Sequence, residues 1–90
     1  MTVTAIYGTG FFQITRLQRE TVSLDDDTLG DLIDVLQERH GTAFRDAIVD
    51  PRTGNILPGM AVLVGGRRLD ARDKIANGDE VAFVMAIAGG

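Results

Sequence analysis

Residues 20–41 read ETVSLDDDTLGDLIDVLQERHG, and inside this stretch the hydrophobic period changes. Glu20-Thr21-Val22-Ser23-Leu24 alternates polar and apolar residues, as a half-buried strand does. Leu29, Leu32, Ile33 and Leu36 then fall at i, i+3, i+4 and i+7, one face of an amphipathic helix that Val35 widens. Asp25-Asp26-Asp27-Thr28 marks the helix entry. Its acidic run complements the positive helix end, and Thr28 with Asp31 reads as a variant capping box. Gly41 after Arg39-His40 supplies the stop, so the spacing predicts a helix over residues 28–40.

Upstream, β-branched and aromatic residues from Thr2 to Tyr7 predict a first strand, with Gly8-Thr9-Gly10 as the turn that ends it. This strand pairs with residues 20–24 as a hairpin whose long loop holds Phe11-Phe12-Gln13-Ile14, apolar but without clean periodicity. Downstream, Ala43-Phe44 and Ala47-Ile48 recur four apart and predict a short second helix before the turn cluster Asp50-Pro51-Arg52-Thr53-Gly54-Asn55. Met60 to Val64 is an apolar run, Gly65-Gly66 a two-residue hairpin turn, and Arg67 to Leu69 a short returning strand. Asn77-Gly78 turns the chain into a last strand over residues 80–87. The order strand, strand, helix, strand, short strand, strand, with a right-handed crossover, predicts an α+β domain. One main helix lies across a mixed sheet, the β-grasp pattern, with the first and last strands parallel at its centre. Leu29, Leu32, Ile33 and Leu36 are expected to face Ile6, Val22, Val62 and Val81.

Composition narrows the function. At 90 residues and 44% apolar content the chain reads as one domain, residues 1–90, with a modest core, and not as a disordered segment. Nine basic against 13 acidic residues, a net charge of −4, argue against a nucleic-acid partner. The absence of cysteine suits a reducing, cytoplasmic compartment. No apolar stretch approaches a membrane span and the start does not read as a signal peptide, so no membrane partner is expected. A single serine, Ser23, and a single histidine, His40, leave no nucleophile with base and orienting group, and no zinc ligand set. Both read as structural. Gly8-Thr9-Gly10 lacks the third glycine and following helix of a dinucleotide fingerprint, and the only lysine, Lys74, belongs to no phosphate loop. Arg67, Arg68, Arg72 and Lys74 beside Asp70 and Asp73 read as a solvated mixed face.

The far end differs. Glu80 is the last charged side chain, so residues 81–90 are uncharged and close on Gly89-Gly90, slim enough for a narrow apolar channel. Residues 85–90 extend about 20 Å when stretched, enough to place the Gly90 carboxylate deep in another protein's active site. Residues 86–90 are expected to be a flexible tail. A carboxylate of pKa about 3.5 is ionised and a poor electrophile, so chemistry there requires activation. Adenylation with ATP is the usual route, and without an ATP motif in the chain the activating enzyme must act in trans. Phe83, Phe11, Phe12 and Ile87 are the candidate docking residues.

Val64-Gly65-Gly66, Asn77-Gly78-Asp79-Glu80-Val81-Ala82-Phe83 and Ile87-Ala88-Gly89-Gly90 resemble the hairpin, strand entry and terminal signature of the MoaD/ThiS family of ubiquitin-like sulfur carriers. Asp27-Thr28-Leu29-Gly30 is similar to its helix entry, and Pro58-Gly59-Met60-Ala61-Val62-Leu63-Val64 resembles its longer branches. The ending leans towards thiamine carriers, and residues 78–83 with the length towards molybdopterin-synthase small subunits. The length with Asp27-Thr28-Leu29-Gly30 leans towards carriers serving cysteine biosynthesis. The resemblance implies a carrier that is not itself an enzyme and binds no cofactor. Its Gly90 carboxylate, preceded by Gly89, is adenylated with ATP by a ubiquitin-activating-like enzyme. A sulfur donor protein converts it to a thiocarboxylate, which serves a sulfur-accepting synthase subunit. The alternative is a protein modifier, joined through Gly90 to target lysines by an isopeptide bond.

Overall fold

In the computed structural model, which describes residues 1–85, alternation along Thr2–Tyr7 (β1) buries Val3, Ala5 and Tyr7 and leaves Thr4 and Ile6 on the opposite face. β1 pairs antiparallel with Arg19–Ser23 (β2) and parallel with Glu80–Met85 (β5). Met60–Val64 (β3) lies antiparallel between β5 and Arg67–Leu69 (β4). The sheet order β2-β1-β5-β3-β4 places the first and last strands side by side at the centre, as the element order predicts. Gly65 and Gly66, with φ of 57° and 81°, form the β3–β4 turn, whose backbone L side chains would strain.

Three helices line one face: Thr9–Thr15 (α1), Leu29–His40 (α2) and Thr42–Ile48 (α3). The predicted capping box of α2 is formed. Asp31 N–H donates to the Thr28 hydroxyl at 3.2 Å, and Thr28 N–H donates to the Asp31 carboxylate at 3.1 Å. Leu29, Leu32, Ile33 and Leu36 are buried in one core with Val22, Val62 and Val81. Ile6 is not their partner. It sits one position from Ala5 and Tyr7, and a one-residue offset along a strand turns a side chain to the other face.

Residues 9–15, expected as hairpin loop and turn, are helix. Only Phe11 and Thr15 of the seven-residue α1 are buried, too few contacts to leave a periodic signature in sequence. Gly8 is its cap, not part of a turn. Its N–H donates to the Phe83 carbonyl at 2.9 Å, and a Cβ there would lie 3.2 Å from the same oxygen. The missing side chain lets α1 begin directly against β5. Phe44 meets Phe83 edge-on, ring centroids 5.3 Å apart at 73°, with Tyr7 and Phe11 packed around them. Each such pair contributes about 0.5–1.5 kcal/mol beyond its buried area. The expected strand end at Ile87 and the expected tail, residues 86–90, lie outside the described residues. Among the described residues no helix is long and apolar enough to cross a membrane.

Leu32→Ala removes a fully buried side chain from the first turn of α2. It should lower stability by about 2–4 kcal/mol through lost transfer energy and the cavity left behind. Urea denaturation measures this, and an unshifted midpoint would place Leu32 outside the core.

Candidate functional site

β5 carries the chain towards residues 86–90 along the centre line of the sheet, between β1 and β3. The side of β5 away from the helices presents Ala82 and Val84, because Val81 and Phe83 point inward. Register then builds one row across all five strands. Arg19 pairs with Ile6, Ile6 with Ala82, Ala82 with Leu63, and Leu63 with Arg68. At strand spacings of about 4.8 Å the row is roughly 19 Å long, apolar in the middle with a guanidinium at each edge. Val84 beside Ala61 extends the apolar centre towards the end of β5. Arg19 is held at its edge by Glu80, 2.8 Å away. A shallow cleft of about 520 Å³, lined by Ile6, Gly8, Thr9, Phe12, Gln18 and Arg19, adjoins this face.

Of the expected docking aromatics, Phe83 and Phe11 belong to the core, so their nomination as surface anchors is corrected. They alternate or pack towards the helices, where burying a large ring yields more than exposing it. Phe12 is on the surface, 39% exposed, and Met85 at the end of β5 is 55% exposed. Ile87, Gly89 and Gly90 lie outside the described residues. The outer-face residues Ile6, Leu63, Ala82 and Val84 were missed, because apolar strands such as Met60–Val64 and Val81–Val84 carry no alternation to mark their outward side. The parity of Ile6 in β1 was the one available signal.

At the same end of the molecule as the close of β1, a polar cluster ties β2 to α2. The Glu20 carboxylate accepts from the Tyr7 hydroxyl and from His40 Nε2, each at 2.6 Å, and from Arg39 at 2.8 Å. An ionised carboxylate only accepts, so His40 carries a proton on Nε2 here. Burial alone would raise the Glu20 pKa, but the hydrogen bonds from Tyr7, His40 and Arg39 outweigh it and hold the group below its ordinary value. Burial, reinforced by the bond to Glu20, pushes the Tyr7 hydroxyl far above the phenol range. His40 therefore has a structural partner, and Ser23 is an exposed residue of β2. Among the described residues no three His, Cys, Asp or Glu side chains converge as a metal site.

The ThiS family model matches residues 9–90. The chain belongs to the ThiS family. Its fold is shared by solved structures below 25% identity. They include Haloferax volcanii small archaeal modifier protein 1, at 22% identity and TM-score 0.81, covering 96% of this chain and 98% of that one. Mycobacterium tuberculosis CysO is 24% identical with TM-score 0.80, covering 94% and 99%. A Pyrococcus furiosus protein described as molybdopterin converting factor, subunit 1, is 21% identical with TM-score 0.74, covering 96% and 98%. Comparison with curated protein sequences gives no match. This ThiS-family chain is thus a ubiquitin-like β-grasp protein of the sulfur-carrier group, and among the described residues β5 runs beside a sheet face that no helix covers.

A carboxylate held below its ordinary value of 4.5 stabilises the fold at pH above that value, and the contribution is lost as pH falls through the lower folded-state value. Glu20→Gln should therefore cost about 1–3 kcal/mol at neutral pH through weakened charge-assisted hydrogen bonds. Its deficit against the wild type should shrink below pH 4.5. Urea titrations of both proteins at several pH values test this, and a deficit independent of pH would assign the loss to packing.

Proposed function

We propose that this protein is a sulfur carrier whose Gly90 carboxylate is adenylated by a partner enzyme at the expense of ATP, converted to a thiocarboxylate, and consumed by a sulfur-accepting enzyme in cofactor or cysteine biosynthesis. The observation that carries the reading is the central position of β5 beside an apolar row with arginines at its edges, on a chain of the ThiS family. A partner seated on that row holds the protein body, and the five residues after Met85 span up to about 18 Å into its active site. ATP is the partner's substrate in this scheme, and the carrier supplies only the acyl group. A sulfur donor protein would hand over the sulfur, and a synthase subunit would receive it. The compartment is the cytoplasm.

Deleting Gly90 leaves a carboxylate on Gly89 but retracts it by up to about 3.5 Å, enough to lose near-attack alignment. The variant should fold as the wild type does by circular dichroism and show no pyrophosphate exchange with the cognate adenylating enzyme and ATP. Exchange at the wild-type rate in the folded deletion variant would overturn the reading. Leu63→Ala, on the outer face, should weaken binding to the activating enzyme by about 1–3 kcal/mol while leaving the core intact. Unchanged affinity in calorimetry would remove the row from the interface.

The likeness to a small archaeal modifier protein favours a second reading, in which Gly90 is joined to lysines of other proteins. Intact mass of the protein from its host separates the two. A thiocarboxylate adds about 16 Da, the difference between sulfur and oxygen, whereas a modifier is found in covalent adducts of higher mass.

A further inference from the structure

A protein whose own carboxyl becomes an acyl donor is threatened by its own nucleophiles, and this chain is poor in them. It has no cysteine, and of its nine basic side chains a single one, Lys74, is a lysine. The rest are arginines, whose guanidinium stays protonated and does not attack an acyl group. Two amines remain, Lys74 Nζ and the α-amine of Met1.

The fold places both at the end of the sheet opposite the close of β5. Met1 lies before β1, where its ammonium donates to the Leu24 carbonyl at 2.8 Å. Ile75 N–H donates to the Asp27 carbonyl at 2.8 Å, and Gly78 N–H to the Thr2 carbonyl at 2.7 Å, which fixes the Lys74 loop at the start of β1 and of α2. Thr4 is level with Glu80 in the parallel ladder, and β5 runs five residues on to Met85. The start of β1 is therefore roughly 23 Å from the end of β5 at about 3.3 Å per residue. Five further residues reach at most about 18 Å, so the carboxyl of the same molecule meets Lys74 only with both the tail and the lysine side chain fully stretched along the sheet. Capture of the activated carboxyl within one molecule is disfavoured by that entropy cost.

Capture by a second molecule is not. Lys74 is 79% exposed, and its one ionic neighbour among the described residues is the Asp27 carboxylate, 3.7 Å away and itself half exposed. An arginine would serve that loose pair equally well, so the contact does not explain a lysine. The Met1 amine is engaged by a backbone carbonyl and partly buried.

Resting on the reading of Gly90 as an activated acyl donor, we propose that Lys74 is the acceptor site for the activated carboxyl of a second copy of this chain. Lys74 Nζ, deprotonated, attacks the Gly90 carbonyl carbon of the donor. The C–N bond forms, the C–O bond to the nucleotide phosphate breaks, AMP leaves with the electron pair, and the amine proton passes to water. The close of β5 and Lys74 lie at opposite ends of the sheet, and each product keeps one free Gly90 and one free Lys74, so it can extend head to tail.

The test uses the full chain prepared with Gly90 as a C-terminal thioester, which replaces AMP by a thiol leaving group and needs no enzyme. Concentrated thioester is incubated at mildly alkaline pH and followed by intact mass and peptide mapping. A dimer of two chains less one thiol should accumulate, with Gly89-Gly90 attached at Lys74, and K74R should lose it while hydrolysing its thioester at the wild-type rate. Dimer persisting in K74R, linkage at Met1, a cyclised monomer, or hydrolysis without any dimer would each overturn the proposal. Pyrophosphate exchange with the adenylating enzyme tests the donor reading separately. Its absence would sink that reading without altering the thioester result.

Discussion

The parallel pairing of β1 with β5 is the constraint on which the rest of the molecule depends. It joins segments about 75 residues apart, as the bond from Thr2 N–H to the Asn77 side chain marks. Closing a loop of that length costs roughly 4 kcal/mol of chain entropy before any contact offsets it. The offset comes from a strand hydrogen-bonded on both sides, whose Val81 and Phe83 are fully buried. The ladder continues past the strand ends, through Gly78 to Thr2 and Gly8 to Phe83, so both ends of the pairing are pinned.

With β1 and β5 central, the sheet acquires two unlike faces. Helices α1, α2 and α3 cover one, and no element among the described residues covers the other. That face is tolerable in water because its centre is small and its edges charged. Ala82 occupies the middle position, and Arg19 and Arg68 close the row. Isolated apolar side chains there need no explanation, but a row in register beside the strand that leads to the chain end has the form of a docking face.

The Glu20 cluster protects the β2 edge. Arg39 reaches both the Glu20 carboxylate and the Thr21 carbonyl, so a cation from α2 occupies an acceptor of an edge strand that would otherwise invite pairing with another chain. Tyr7 and His40 complete the carboxylate's bonds, and no buried side-chain polar atom among the described residues lacks a partner. The charge is thus matched where the sheet meets the end of α2, and the cluster links β1, β2 and α2.

Local signals determined much of this protein from sequence alone. The change of period at Asp25–Thr28, the Thr28 and Asp31 cap, the Gly65-Gly66 turn and the succession of strands depend on neighbours within a few residues, and each appears where its pattern lies. The uncharged Gly-Gly ending is the sequence feature on which the proposal for Gly90 rests. What only the tertiary structure decided is which side of each strand meets the helices. In β3 and β5 apolar residues occupy both faces, so no alternation records it, and Phe83 and Leu63 look alike until register separates core from surface. Helix α1 was hidden for a related reason. Its stability comes from Phe11 against Phe44 and Phe83, and from a glycine that lets it approach β5, contacts between residues far apart in the chain.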